Sequence, residues 1–478
     1  MEIKFGTSGW RGVISDDFTF ENVEIVTQTI CDYIKQQKTS NQRPATVVVG
    51  YDTRFLSEKF AEVSATVIAA NNLQALLCQR DTPTPTISFE ILRRRAAGGI
   101  NFTASHNPPE YNGIKFSPAW GGPALPETTD AIERNCRKYL ANPRLVKKMP
   151  VVEALKKKKI ININAEPYYL KKLSDIIDLK AIKKAHLKVA VDVMYGTGRG
   201  YLDELLQVAG TKIHILHNWR DVLFGGHHPE PSLENIPEMV DIVKKERCHL
   251  GLGTDGDADR FGIIDEKGRY IQPGHVIALL LDHLITTRKW QGVAARSVMT
   301  TGFIDAMAAK HGVELRETPV GFKYIGDILV NEKNFIIGGE ESGGLTIRGH
   351  VPEKDGILAC LLVAEMVACR RKPLSRILTD AYKEVGTFIF ERENFRVTPE
   401  RMSELKKMLK NDPPTKIAGL PVNEVITIDG FKFRLADGSW AGLRLSGTEP
   451  VIRFYAESSH PTKVNKLLAA GKKLILGK

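Results

Sequence analysis

The chain has 478 residues, 42% of them hydrophobic and 26% charged, the composition of a folded protein of roughly three or four domains and not of a disordered or fibrous one. Its longest apolar stretches, near residues 275–285 and 356–369, each contain an acid and fall short of the roughly 20 residues of a spanning helix, so they predict buried helices. A formal net charge of +11 suits an anionic small substrate, a nucleic acid or a lysine-rich solvated surface.

No apolar run follows a basic start at Met1, so no secretory signal is expected. Residues 45–50 read as a strand, 57–71 as a helix and 99–102 as a strand leading into Thr103. The stretch 142–159 is polar and basic. Its lysines, Lys147, Lys148, Lys156, Lys157, Lys158 and Lys159, have no interleaved aromatic residues to stack bases, so it reads as a solvated linker. No nucleic-acid partner and no membrane partner are expected.

Strand and helix alternate again at 187–193 with 201–208, and at 297–300 with 301–311, predicting α/β units with mainly parallel sheets. After Arg392 the pattern changes to close-spaced strands at 425–428, 431–435, 442–445 and 452–457 ahead of a helix at 461–476, an α+β unit. The expected domains are 1–150, 151–267, 268–386 and 387–478. No short-period repeat is visible. Six cysteines stand singly at 31, 78, 136, 248, 360 and 369, which favours a reducing, cytoplasmic setting without structural zinc.

Five loops carry candidate chemistry. The glycine-rich turn from Gly6 to Gly12 holds Arg11, a cation able to stabilise a transferring phosphoryl group. Thr103-Ala104-Ser105-His106-Asn107-Pro108-Pro109 leaves a strand and ends in a stiff Pro-Pro break, which presents Ser105 as a candidate nucleophile; alone, a Ser-His pair is more often an ordinary turn. Asp255, Asp257 and Asp259 alternate around Gly256, so three carboxylates can converge on one hard cation, magnesium or calcium. Arg260 stands where a calcium-sensing loop needs glycine, and three ligands leave magnesium free positions for a phosphate oxygen. A solvated acidic turn is the alternative, disfavoured by three like charges so close together.

Gly338-Gly339-Glu340-Glu341-Ser342-Gly343-Gly344 offers a carboxylate and a hydroxyl to vicinal sugar hydroxyls, or is a plain glycine-rich turn. Arg444-Leu445-Ser446-Gly447-Thr448-Glu449-Pro450, with Arg453 nearby, joins an arginine, two hydroxyls and backbone amides into a nest for a phosphate group.

Together and in this order, the loops at 103–109, 255–260, 339–344 and 444–450 resemble the four signature loops of the α-D-phosphohexomutase superfamily, and the resemblance covers essentially the whole chain. It implies a four-domain architecture around a central cleft: three related α/β domains plus a C-terminal α+β domain, each donating one loop. It further implies that Ser105 is a phosphoserine, that Asp255, Asp257 and Asp259 hold Mg2+ with a phosphate oxygen on Ser105, and that Arg260 stands beside the reacting group. Glu340 and Ser342 would contact sugar hydroxyls. Arg444, Ser446, Gly447 and Thr448 would hold a phosphate, with Lys354 and Arg453 also in the substrate-binding set. Arg11, His106 and Lys115 match the family's charged residues near the phosphoryl group, and Lys115 or Lys323 would be the proton shuttle.

The implied activity is that of a phosphohexomutase. Phospho-Ser105 donates to a hexose monophosphate, a hexose 1,6-bisphosphate turns end for end, and Ser105 accepts the other phosphate; the bisphosphate also serves as activator. Gly321-Phe322-Lys323-Tyr324 and Glu353-Lys354-Asp355-Gly356 are similar to phosphoglucomutase loops, and Leu445 stands where mannose- and glucosamine-type members often have proline. Glucose phosphate is therefore the expected substrate. Phosphomannomutase or dual activity is the alternative, with phosphoglucosamine mutase third, and either a monomer or a homodimer is expected.

Two rival chemistries have weaker support. A serine hydrolase on Ser105 and His106 would need a G-x-S-x-G elbow, which the sequence lacks, and a magnesium-dependent phosphatase would use an acid such as Asp255 as nucleophile. His227-His228 is followed by Pro229-Glu230-Pro231 and reads as a rigid loop, because adjacent residues rarely converge on one ion.

Overall fold

Aliphatic runs such as Val47-Val48-Val49 and Leu250-Gly251-Leu252 are buried on both faces, and such strands are covered only between layers of helices. The computed structural model describes residues 3–6, 9–37, 45–445 and 451–477. Its first sheet contains β1 (Trp10–Val13), β2 (Thr46–Tyr51), β3 (Gln74–Cys78), β4 (Gly98–Phe102), β5 (Tyr111–Pro118) and β6 (Ile160–Ile163), ordered β1-β5-β4-β2-β3-β6. The second contains β7 (Lys188–Asp192), β8 (Lys212–Leu216), β9 (Leu250–Thr254), β10 (Phe261–Asp265) and β11 (Tyr270–Ile271), ordered β11-β10-β9-β7-β8. The third contains β12 (Val293–Ser297), β13 (Glu314–Thr318), β14 (Phe335–Gly339) and β15 (Leu345–Ile347), ordered β13-β12-β14-β15.

One pattern recurs in all three. A central strand pairs in parallel with its successor on one side and with the strand after that on the other: β2 with β3 and β4, β7 with β8 and β9, β12 with β13 and β14. That third strand then pairs antiparallel with the next one, β4 with β5, β9 with β10 and β14 with β15. The connections leading into these antiparallel strands contain Ser105, the aspartates 255, 257 and 259, and Glu340. Three of the chemically loaded loops thus occupy one topological position in three sheets.

The fourth sheet is antiparallel, with β16 (Ile389–Arg396), β17 (Lys416–Ile417), β18 (Leu420–Ile426), β19 (Phe431–Leu435), β20 (Trp440–Leu445) and β21 (Val451–Ser458) ordered β16-β21-β20-β19-β18-β17. Helix Pro461–Leu476 buries Val464, Leu467, Gly471 and Ile475, one stripe at helical spacing. The architecture is therefore the expected one, three related α/β units and an α+β unit.

The limits read from the sequence move in two places. Residues 151–163 do not open the second unit. Helix Val151–Lys156 packs on helix Ser57–Ala70, and β6 beyond it pairs in parallel with β3, so the first sheet runs to residue 163. A four-residue strand directly behind four lysines carries too little pattern to be seen in the sequence. Likewise β11 lies past residue 267 yet pairs with β10 in the second sheet.

The largest core is continuous across the second and third units. Helix Gly356–Arg370 is apolar on nearly every side and packs against helix Leu179–Ala185, β9 and β10. No helix among the described residues is long and apolar enough to cross a membrane. The acids in the two apolar helices are paired. Glu365 takes Arg288 Nη2 at 2.9 Å and contacts His283 Nε2 at 2.9 Å. Asp282 contacts His311 Nε2 at 2.6 Å, Lys310 Nζ at 3.1 Å and Arg370.

Burial works against the Asp282 charge, but its bonds to Arg370, His311 and Lys310 hold the carboxyl down at about 2. The unfolded value is about 4, so this contribution is fully present above that pH and is lost as pH falls through about 2. Asp282→Asn is expected to cost about 1–3 kcal/mol at neutral pH. Thermal unfolding across a pH series checks this: the gap between wild type and variant should close on acidification from about pH 4.

The fourth unit docks on the third through buried polar groups. Glu457 accepts from Gly302 N at 2.9 Å, Trp440 Nε1 at 2.7 Å and Thr301 Oγ1. Lys432 donates to the Val298 carbonyl at 2.7 Å and lies 4.0 Å from the centre of the Trp440 ring. Val298, Met299, Phe390, Trp440 and Tyr455 close over these bonds as a small apolar cluster.

Candidate active site

Where β4 ends, the chain turns sharply and Ser105 adopts a left-handed backbone conformation with φ +53°. Such a conformation costs an ordinary residue roughly 1–2 kcal/mol, so the surroundings must hold it. Arg54, fully buried, does so. Its guanidinium donates to the carbonyls of Ser105 and Asn107 at 2.6 Å, Pro108 at 2.7 Å and Tyr111 at 3.0 Å, and its Nε meets Asp52 Oδ2 at 3.2 Å. Ser105 N also donates to Thr103 Oγ1 at 2.8 Å. Arg54 was not singled out in the sequence. Its signal is Asp52-Thr53-Arg54 at the carboxyl end of a central parallel strand, where α/β sheets place their ligands.

Ser105 Oγ donates to Asp255 Oδ2 at 2.9 Å across the junction of the first two units. Gly256 permits this approach, since a Cβ there would come within 3.0 Å of the Ser105 carbonyl oxygen. One ligand oxygen from each of Asp255, Asp257 and Asp259 lies within 4.8 Å of the others, and all three side chains are fully buried. Asp257 Oδ1 and Asp259 Oδ1 are buried without a hydrogen-bond partner among the described residues. Orphaned carboxylate oxygens are costly, and a hard divalent cation among them would satisfy both, so the donor set fits the metal that the family resemblance implies.

Cations surround the cluster. Lys115 Nζ contacts Asp257 Oδ2 at 2.6 Å and Asp259 Oδ2 at 2.9 Å, and Lys354 Nζ reaches Asp259 Oδ2 at 2.9 Å. Burial opposes charge on Asp259, yet Lys115, Lys354 and Arg260 together pull its carboxyl below the usual range. Asp255 goes the other way: burial, then the charges of Asp257 and Asp259, push it well up. Arg260 pairs with Glu230 at 2.8 Å, and its backbone N–H donates to Asp255 Oδ1 at 3.0 Å. Arg11, on β1, donates to Asn107 Oδ1 in the Ser105 loop, and burial followed by Arg260 pushes it down to about 10.

All four units contribute charge around His106, whose Nδ1 lies 3.4 Å from Ser105 Oγ. Burial first, then Arg260, Arg11, Lys354 and Arg453, drive its pKa well below the ordinary value. Lys323 is placed differently from Lys115. Burial lowers its ammonium, and its acidic neighbours are Glu127 and Asp130 of helix Pro126–Ala141.

In the third loop Glu340 is buried, accepts from Gly321 N at 2.7 Å, and is pushed up to about 7 by burial and then by Glu341. Ser342 is half-buried in the same turn. Glu353 is a further buried carboxyl that sequence reading passed over; burial lifts it to about 7, and it lines a small cavity with Lys115 and Lys354. Its signal in the sequence was its place in the Glu353-Lys354-Asp355-Gly356 loop, which was read for substrate type and not for a carboxyl at the site. In the fourth unit Arg444 Nε meets Asp429 Oδ2 at 3.1 Å, and Arg444 lies opposite Arg453 in the β20–β21 ladder. Ser446, Gly447 and Thr448 lie outside the described residues.

This arrangement is suited to phosphoryl transfer: a buried serine, a carboxylate cluster fit for a divalent cation, and basic residues from all four units. Four family profiles match in order. The phosphoglucomutase/phosphomannomutase alpha/beta/alpha domains I, II and III match residues 2–142, 167–268 and 272–385, and the C-terminal domain matches 393–471. A phosphoglucomutase/phosphomannomutase of Thermococcus kodakarensis is 31% identical over 98% of both chains. Human phosphoglucomutase-1 is 30% identical over 95% of this chain and 90% of its own. A solved structure from Thermus thermophilus, described as a phosphomannomutase, superposes with a TM-score of 0.84 at 31% identity over the full length of both chains. The chain belongs to the phosphoglucomutase/phosphomannomutase family of the α-D-phosphohexomutase superfamily. It is an enzyme of intramolecular phosphate transfer on hexose phosphates.

Proposed function

We propose that the protein interconverts glucose 1-phosphate and glucose 6-phosphate through a phosphoserine at Ser105 and a glucose 1,6-bisphosphate intermediate. The observation that carries this reading is the 2.9 Å contact of Ser105 Oγ with an aspartate cluster in which two carboxylate oxygens have no hydrogen-bond partner among the described residues. Asp255, Asp257 and Asp259, with an oxygen on Ser105, would hold a divalent cation, Mg2+ by donor type, which supplies charge neutralisation to the phosphoryl oxygens.

The chain's own residues do the rest. Arg54 and Thr103 fix the Ser105 backbone, and Arg11, Arg260 and Lys354 face the transferring group with positive charge. A sugar hydroxyl oxygen bonds to phosphorus as the bond from phosphorus to Ser105 Oγ breaks, and the hydroxyl gives up one proton while Oγ gains one. Lys115, held as an ammonium between Asp257 and Asp259, would give a proton to Oγ as its bond to phosphorus breaks and regain one from the sugar hydroxyl; Lys323 lies nearer the acids Glu127 and Asp130 and is the second candidate. Glu340 and Ser342 receive sugar hydroxyls. Arg444 and Arg453, with the loop of Ser446, Gly447 and Thr448, hold the phosphate that is not reacting.

Relatives near 30% identity carry glucose, mannose and glucosamine names, the last in Methanosphaera stadtmanae. One observation favours a second, dual reading: the Thermococcus relative is named for both glucose and mannose. A magnesium-dependent assay primed with the matching bisphosphate ranks the sugars. Glucose 1-phosphate should give the highest kcat/KM, mannose 1-phosphate should follow, and glucosamine 1-phosphate should lie at least about tenfold below glucose. Turnover should vanish with a chelator and return with Mg2+. A preference for glucosamine would overturn the assignment.

A further inference from the structure

We propose that the surface around helix Val151–Lys156 docks onto anionic phospholipid bilayers. Residues 143–161 hold seven basic residues, Arg144, Lys147, Lys148, Lys156, Lys157, Lys158 and Lys159, against one acid, Glu153, a local excess of +6 in a chain whose net charge is +11. More than half of the protein's net charge thus sits in one short segment. That segment is not a linker. It folds as a helix and the edge strand β6 against the first sheet.

The same segment exposes aliphatic side chains. Leu145, Val151, Val152, Leu155 and Ile161 all face solvent, Val152 at 79% exposure, while Ala154 is fully buried beneath them. Val151, Val152 and Leu155 share a face at helical spacing, opposite the side that packs on helix Ser57–Ala70 and β6. Lys148 pairs with Glu24, Lys157 with Glu153 at 2.5 Å and Lys159 with Asn72 Oδ1 at 2.8 Å. Lys147, Lys156 and Lys158 have no acidic partner among the described residues.

The occupant follows from charge and shape. A second copy of the chain would bring like charges together, and single-stranded nucleic acid would want aromatic residues for stacking. Lysines beside an edge strand also blunt unwanted β-pairing, but that role does not call for an exposed aliphatic face. A projecting aliphatic knob ringed by ammonium groups suits the boundary of a bilayer, with methyl groups among the headgroups and lysines on lipid phosphates and carboxylates. The expectation of no membrane partner rested on the lack of a spanning stretch, which surface docking does not require.

Cosedimentation of the full chain with vesicles tests this, using phosphatidylcholine alone and phosphatidylcholine with about 30% phosphatidylserine at about 0.1 M salt. Partition onto the serine-lipid vesicles should be at least about tenfold higher. It should fall at least about fivefold in Val152→Glu/Leu155→Glu and in Lys156→Glu/Lys157→Glu/Lys158→Glu, with mutase turnover in solution unchanged. A charge-matched control on helix Pro399–Asn411, Lys406→Glu/Lys407→Glu/Lys410→Glu, should partition like wild type. Equal partition onto both vesicle types would overturn the proposal. So would equal losses in control and patch variants, or binding to polyglutamate with none to the anionic vesicles.

Discussion

Ser105→Ala is expected to lower kcat/KM by roughly three orders of magnitude or more while leaving the fold intact. The variant keeps the Arg54 clamp, which grips backbone carbonyls and not the hydroxyl, and alanine at φ +53° is no more strained than serine. It removes the atom proposed to bond to phosphorus. The companion variant Asp255→Asn separates this chemistry from that of a phosphatase using an aspartyl nucleophile. If Ser105 is the carrier, Asp255→Asn can still take up phosphate on Ser105, however slowly, and Ser105→Ala cannot.

The second large effect is structural. Arg54→Met should destabilise the first unit by about 3–5 kcal/mol, because it leaves Asp52 buried without its cation and takes donors from four carbonyls at once. Arg54→Lys should fall between wild type and Arg54→Met, since an ammonium cannot reproduce a planar fork of donors. Activity should drop further than stability alone accounts for, by about a hundredfold in kcat in protein that remains folded, because the clamp sets where Ser105 points. Denaturant unfolding followed alongside single-turnover kinetics checks both effects. A variant of wild-type stability and full turnover would show that the loop holds its shape without Arg54.

Much of the site was legible because its chemistry is concentrated in short loops. Asp255, Asp257 and Asp259 alternate in five residues, and three like charges at that spacing make sense around a cation, so composition and spacing alone pointed to the cluster. Lys115 and Lys323 could not be ranked from sequence, because each stands two residues after a glycine in an unremarkable context and only tertiary packing puts one on the aspartates and the other near Glu127 and Asp130. Arg54 and Glu353 were missed for a related reason: each owes its importance to what surrounds it, four carbonyls in one case and two lysines in the other.

In the fold, alternation of strand and helix showed the class but not the repeat. The shared strand order of the first three sheets is a property of pairing, and no residue pattern at the scale of a loop records it. β6 shows the opposite limit. Its pairing with β3 is set by the sheet edge it completes, so its lysine-rich approach looked like a tether.

Intact mass of the enzyme after incubation with glucose 1,6-bisphosphate and Mg2+, with the modified peptide mapped, tests the central claim most directly. One phosphate on Ser105, absent from Ser105→Ala and removed on adding excess glucose monophosphate, is the predicted result. Phosphate on Asp255 or any other residue, or turnover by an enzyme that never carries phosphate on Ser105, would contradict it.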